Sequence, residues 1–309
     1  MKIIYMGTPE IALKPLIALI EAGHTIVACV TQPDKVNSRG NKIIFSPIKN
    51  FALENNIPVY QFTKIRLDGV EILNSLDADL IITCAYGQIL SQEIIDLFKF
   101  GVLNIHSSLL PKYRGASPII ASLLNGDEVT GVTIMQTSIG MDEGDILLSE
   151  EVKIEKEDNS ISLTEKISEA GARCICEVVN NIELYFSKKT TQNNEKATFC
   201  KKVTKEMAKL DFNKDATTLV REIKAYALNP TSFFIFSDKR FKVFNAEVVE
   251  CENEIENGTI ISANKTSGLV ISCLNGAIKV IEIQAPNGRK MKIRDFLNGN
   301  TFPENARCE

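Results

Sequence analysis

Apolar residues in the first half of the chain come in short unbroken runs rather than in alternation. Lys2–Met6, His24–Thr31, Ala78–Ala85 and the run after Gly101 are of this kind. Runs of that length and density are strands buried on both faces. Between them lie segments of helical character, one ending near Gly23, one over Phe45–Asn55 and one over Ser91–Phe98, with a short strand at Pro58–Phe62. Strands alternating with helices predict a Rossmann-like, doubly wound, mostly parallel α/β sheet. Val129–Thr137 and Ile146–Ile154 read as further strands, and Ile161–Phe186 has helical periodicity.

The pattern changes after Phe186. Lys188–Lys209 carries seven lysines against two glutamates, a net charge of +5, and reads as a linker. One short helix (Ala216–Ala227) then precedes short β-like runs at Ser232–Phe236, Phe241–Val249, Thr259–Ala263, Gly268–Ser272 and Ala277–Gln284. Gly/Asn turns between such runs predict a small, OB-like β-barrel. The expected organisation is an α/β domain over residues 1–187, a basic linker over 188–209 and a β-barrel domain over 210–309.

Composition narrows the class. At 309 residues, 44% hydrophobic and 24% charged, the chain is that of an ordinary soluble protein with room for two cores. Its net charge of −4 argues against wholesale coating of nucleic acid but leaves room for a local basic patch. Eight cysteines without a C-x-x-C pair, beside only two histidines, make a zinc cluster an unexpected feature and fit a reducing cytosol. Lys2 leads straight into a strand, so no signal peptide is expected, and no apolar run approaches the ~20 residues of a membrane span. A cytoplasmic protein is expected, and with no long apolar surface stripe, a monomer.

Candidate chemistry gathers at strand ends. In a parallel sheet ligands sit beyond the carboxyl ends of the strands, so the turns after Gly7, Gln32, Tyr86 and Ser107 should share one edge. Gly7-Thr8-Pro9 lacks the G-x-G-x-x-G spacing, and Pro9 removes a backbone donor, which argues against a dinucleotide. The stretch Gly101–Pro118 is richer. Asn104 and His106 are two apart on a strand, so they project to one face, where a buried amide and imidazole need partners or chemistry. The loop Ser138–Asp145 holds three acids between two strands without the spacing of a calcium loop.

Asn104 with HSSLLPKYRGASP, followed by TSIGMDEGDILL, resembles the folate-dependent formyltransferases. The MGTPE opening, the TQPDKVNSRGNK loop, CAYGQIL and the C-terminal barrel extend the resemblance over nearly the whole chain, toward the branch that acts on a methionyl-tRNA. By that resemblance Asn104, His106 and Asp142 match the catalytic positions. Ser108, Leu109, Leu110 and Pro111 match a folate-binding segment, and Tyr86 and Gly87 the loop over the pterin end. Arg39 matches the basic residue of a loop that inserts at the tRNA acceptor end. The implied co-substrate is 10-formyltetrahydrofolate, with no metal, and the implied partner is initiator methionyl-tRNA. Phosphate contacts are expected from the basic clusters, Lys201, Lys202 and Lys205 in the linker and Arg289 and Lys290 after the last strand. The expected roles are a protonated His106 and the Asn104 amide donating to the oxyanion, with Asp142 orienting His106.

Three departures stand out. Ser91 replaces the proline that usually follows the Y-G-x-I-L run, Val36-Asn37-Ser38 replaces the usual start of the Gln32 loop, and with no tryptophan in the chain Asn229-Pro230-Thr231-Ser232 replaces an N-P-W-P segment. Other acceptors of the same superfamily (a sugar nucleotide, a glycinamide ribonucleotide, or water) stay open, as does an RNA-binding module whose catalytic domain is inactive.

Overall fold

The computed structural model describes residues 1–36, 43–251 and 255–309. The chain forms two compact units. The first comprises Met1–Pro118, Val129–Ile154 and Thr164–Cys200, and the second Ile119–Glu128, Glu155–Leu163 and Lys201–Glu309.

The first unit is built on a seven-stranded sheet. Its strands are β1 (Lys2–Gly7), β2 (Thr25–Thr31), β3 (Val59–Gln61), β4 (Leu80–Cys84), β5 (Val102–His106), β6 (Val129–Gln136) and β7 (Ile146–Lys153). The spatial order is β7-β6-β5-β4-β1-β2-β3. The pairs from β5 through β4, β1 and β2 to β3 are parallel, whereas β6 and β7 run antiparallel at one edge. The chain moves outward from β1 in both directions, which leaves a crevice at the carboxyl ends of the strands. Every residue of β4 is buried, in keeping with its unbroken apolar run.

Local chemistry sets the helix limits. Helix α1 spans Leu13–Glu21 and α2 Pro47–Glu54. Ser46 caps α2 by accepting from the Lys49 N–H at 3.2 Å, with Pro47 at the first helical position. The helix expected over Ser91–Phe98 is one turn, α3 (Gln92–Ile95), because the chain is drawn off to begin β5, with the Gly101 N–H on the Phe98 carbonyl at 2.9 Å. Gly7 has a packing reason: a Cβ there would lie 2.8 Å from that of Ala12 and 3.1 Å from the Cys84 carbonyl. The long helix α4 (Ser160–Asn180) brings Gly171 against β5, where a Cβ would stand 3.0 Å from the Ile105 side chain. A side chain there would press on the strand that carries Asn104 and His106.

The second unit holds an antiparallel sheet of β8 (Phe233–Phe236), β9 (Lys239–Val249), β10 (Ile260–Asn264), β11 (Gly268–Ser272) and β12 (Ala277–Gln284), ordered β8-β9-β12-β11-β10. The short strand Met291–Lys292 also pairs with β12. The gap between the edge strands β10 and β8 is bridged by residues 305–309. Asn305 and Ala306 exchange hydrogen bonds with Ile260, and Glu309 does so with Ile235 at 2.6 and 2.9 Å. Both edges thus find backbone partners, which curls the sheet into a barrel-like form. Its core is aromatic: Phe234 stacks on Phe241 at 5.5 Å, and Phe302 packs edge-on to Phe241 at 5.2 Å. Asp215 caps the helix Ala216–Ala225 over this core. Among the described residues no helix is long and apolar enough to cross a membrane.

Candidate active site

Asn104 and His106 leave β5 on the same face, as their spacing requires. On β4 the register places Thr83 beside Asn104. The Thr83 hydroxyl donates to Asn104 Oδ1 at 2.9 Å, which turns the amide NH2 outward, where it meets no acceptor among the described residues. His106 is 5% exposed. Its Nε2 lies 3.0 Å from the Tyr113 carbonyl. A carbonyl only accepts, so Nε2 carries the proton, and Nδ1 of the neutral ring presents a lone pair. That Nδ1 lies 3.7 Å from Asp142 Oδ2. Burial pushes the imidazole below its ordinary value, and this outweighs the opposing pull of the Asp142 carboxylate and the Tyr113 carbonyl. Burial thus works against the protonated donor expected at this position.

Asp142 lies in the loop between β6 and β7 with φ of +49°, in the left-handed region. Its Oδ2 accepts from the Gly115 N–H at 2.8 Å. The three residues, far apart in sequence, converge beyond the end of β5.

Ser108–Pro111 forms the turn leading away from His106. Ser108 is fully buried, and its hydroxyl donates to the Lys112 carbonyl at 2.6 Å. The Leu110 N–H donates to Thr133 Oγ1 at 3.1 Å, and Thr133 donates in turn to the Ser108 carbonyl. Most polar groups of this segment, backbone included, hold the turn itself, leaving its apolar surface to a ligand. Tyr86 and Gly87 follow β4. The Tyr86 carbonyl accepts from Gln32 Nε2 at 2.9 Å, while its buried hydroxyl has no protein partner among the described residues. An orphaned buried hydroxyl at a strand end fits a polar ligand edge there. Arg39 lies outside the described residues. Lys201, Lys202, Lys205, Arg289 and Lys290 are exposed in the second unit, with Lys290 paired to Glu282 at 2.7 Å.

Sequence reading did not single out Thr83, the Tyr113 carbonyl, Arg114 or Gln192. Arg114 is 3% exposed and gives two hydrogen bonds to Gln192 Oε1 and one to Asn194 Oδ1. Gln192 Nε2 in turn donates to the carbonyls of Asp142 (2.9 Å) and Gly144 (2.7 Å). The segment expected as a linker, 188–209, is anchored over its first part: Thr190 bridges Ile146, and Phe199–Cys200 pairs with Arg114–Gly115.

Known proteins define the class. Residues 1–179 match the family model described as "Formyl transferase", and residues 202–301 match "Formyl transferase, C-terminal domain". The chain belongs to the formyl transferase family and, within it, to the methionyl-tRNA formyltransferases. It is 38% identical to the methionyl-tRNA formyltransferase of Sulfurihydrogenibium sp. over 100% of both chains. It is 37% identical to that of Clostridioides difficile over 98% of each. Among solved structures it shares its fold with HypX from Aquifex aeolicus in complex with tetrahydrofolic acid (TM-score 0.67, 19% identity), covering 96% of this chain and 46% of that one. The chain thus spans about half the length of HypX. An N-formyltransferase from Helicobacter canadensis, in complex with folinic acid and dTDP-3-aminofucose, matches over 94% of this chain and all of its own (TM-score 0.63, 19% identity).

Proposed function

We propose that this chain transfers the formyl group of 10-formyltetrahydrofolate to the methionyl amine of initiator methionyl-tRNA, in the cytoplasm. Residues 1–187 would form the catalytic domain, and residues 210–309 the barrel that receives the tRNA. The observation that carries the chemistry is the convergence of the outward Asn104 amide, His106 Nδ1 and Asp142 beyond β5. The acceptor rests on full-length relatives that all carry the same name.

The reaction forms a bond from the amine nitrogen to the formyl carbon and breaks the bond from that carbon to N10 of the folate. Charge develops on the formyl oxygen, and the Asn104 NH2 is the donor aimed to meet it. The amine must lose a proton, and neutral His106 accepts it on Nδ1. The imidazolium so formed is held beside the Asp142 carboxylate, and its proton can pass to the departing N10 nitrogen. Tyr113 keeps Nε2–H occupied, so Nδ1 is the nitrogen that works. The apolar surface of Ser108–Pro111 and the Tyr86–Gly87 turn are the surfaces offered to the folate. Lys201, Lys202, Lys205, Arg289 and Lys290, with Arg39, are the candidate phosphate contacts, and binding through them should weaken steeply with salt.

The test is formyl transfer from 10-formyltetrahydrofolate to charged initiator methionyl-tRNA, beside free methionine and amino-sugar nucleotides. Turnover with the charged tRNA alone is expected. Preferential turnover of an amino-sugar nucleotide would overturn the acceptor and leave the catalytic assignment standing.

A further inference from the structure

The segment after the long helix runs along both halves of the site. Lys189 Nζ pairs with Asp145 Oδ2 at 3.0 Å, Thr190 exchanges backbone hydrogen bonds with Ile146, and Thr191 Oγ1 donates to Asp145 Oδ1 at 2.9 Å. The lysine and the threonine hydroxyl hold the Asp145 carboxyl below its ordinary range. Four consecutive residues, Lys189 to Gln192, therefore stitch the acidic loop from Asp142 to Ile146.

The chain then crosses to the other block. Asn194 meets Arg114, and Thr198 accepts the N–H of Tyr113 on its hydroxyl and that of Arg114 on its carbonyl, both at 2.8 Å. Cys200 pairs with Gly115, where a Cβ would stand 2.3 Å from the Cys200 carbonyl. Tyr113 supplies the carbonyl that fixes His106, and Gly115 the N–H that fixes Asp142.

Gln192 is the knot of this arrangement. It is 6% exposed, and its hydrogen-bonding capacity is filled. Oε1 accepts from Arg114 Nε at 3.0 Å and Nη2 at 2.8 Å, while Nε2 donates to the Asp142 and Gly144 carbonyls. The amide cannot be turned round, because a guanidinium only donates and two carbonyls only accept. The guanidinium contacts just two neutral amides and forms no ion pair among the described residues. A buried charge on neutral acceptors is expensive. A glutamate here would pair with the guanidinium, but its second oxygen would face the Asp142 and Gly144 carbonyls, which only accept. What glutamine supplies and glutamate lacks is the pair of donors to the acidic loop.

We infer that Gln192, locked by Arg114, is a positioning residue for the reaction: it holds Asp142 in its left-handed conformation so that the carboxylate stays beside His106. This rests on the formyl-transfer reading above. The decisive variant is Gln192→Glu, which keeps the length and the Arg114 contact but loses both donors. Its ion pair with Arg114 offsets part of the repulsion between the second carboxylate oxygen and the two carbonyls. Turnover should fall about 10- to 100-fold, with KM for folate and tRNA changed only a few-fold. The pH profile carries the second readout. Asp142 raises the His106 value against the effect of burial. Its displacement should therefore move the acid limb of kcat further below pH 6.5, the ordinary histidine value.

Gln192→Met, also without N–H donors, is the second arm should the glutamate variant not fold, and the same loss is expected. If either folded variant keeps turnover within about threefold, with an unmoved acid limb, the inference is overturned. Failure of the native protein to formylate any acceptor would instead sink the underlying reading.

Discussion

The two units treat left-handed backbone differently. In the second, the non-glycine residues with positive φ are Thr231, Ser237, Asp238, Asn287 and Asn305, four of the five being Ser, Asp or Asn. Ser237 and Asp238 are the tip of the β8–β9 hairpin, where such a conformation matches the twist of the strands and costs little. In the first unit, Ala85, Tyr113 and Asp142 adopt the same conformation beside the site, at φ of +48°, +59° and +49°. A tyrosine and an alanine gain nothing from their side chains there. Around Tyr113 and Asp142 the surroundings do the holding, through Thr198, Gly115 and Gln192. Turn chemistry shapes the barrel, and mutual constraint shapes the site.

That contrast can be broken from either side. The largest effect is expected from Phe234→Ala in the barrel core, since Phe234 is fully buried against Phe241, Phe212 and Phe302. Urea unfolding should show a loss of about 3–5 kcal/mol. A loss below about 1 kcal/mol would mean the aromatic cluster is not what holds the second unit. Next comes Asn104→Ala, which removes one outward donor while leaving the β5 backbone pairing intact. A drop of ~10²–10³-fold in kcat is expected, with unfolding unchanged; near-native turnover would remove Asn104 from the chemistry. The smallest and most pointed is Asp238→Gly at the hairpin tip. Relief of the left-handed conformation should raise stability by up to about 1 kcal/mol and leave turnover untouched. A destabilised Asp238→Gly protein would show that the hairpin aspartate, like Asp142, is held by more than turn geometry.

Much of this was legible in the chain. The unbroken apolar runs gave the buried strands of the first sheet, and the two-residue spacing gave the shared face of Asn104 and His106. Asp142 was reachable only through the resemblance, because a lone acid in a Gly-rich loop looks like any solvated turn. Thr83 was invisible since its role depends on strand register, β4 against β5, which neither strand encodes by itself. The burial that lowers the His106 value was not legible either, because it depends on what the fold packs over the strand. Gln192 sits among lysines, where polar composition reads as a tether, and its partners lie 48 to 78 residues away. The closing of the barrel by residues 305–309 had no periodic signal at all, being a few isolated backbone bonds.

The lacing of residues 189–200 across both blocks has a consequence for recombining such enzymes. A chimera joined at residue 187 would take Lys189, Gln192, Asn194 and Thr198 from the other parent, and with them the calipers that set the spacing of the two catalytic loops. A junction placed after Cys200 keeps both loops of the candidate site with the segment that laces them, while Ile119–Glu128 and Glu155–Leu163 of the second unit still come from the first parent.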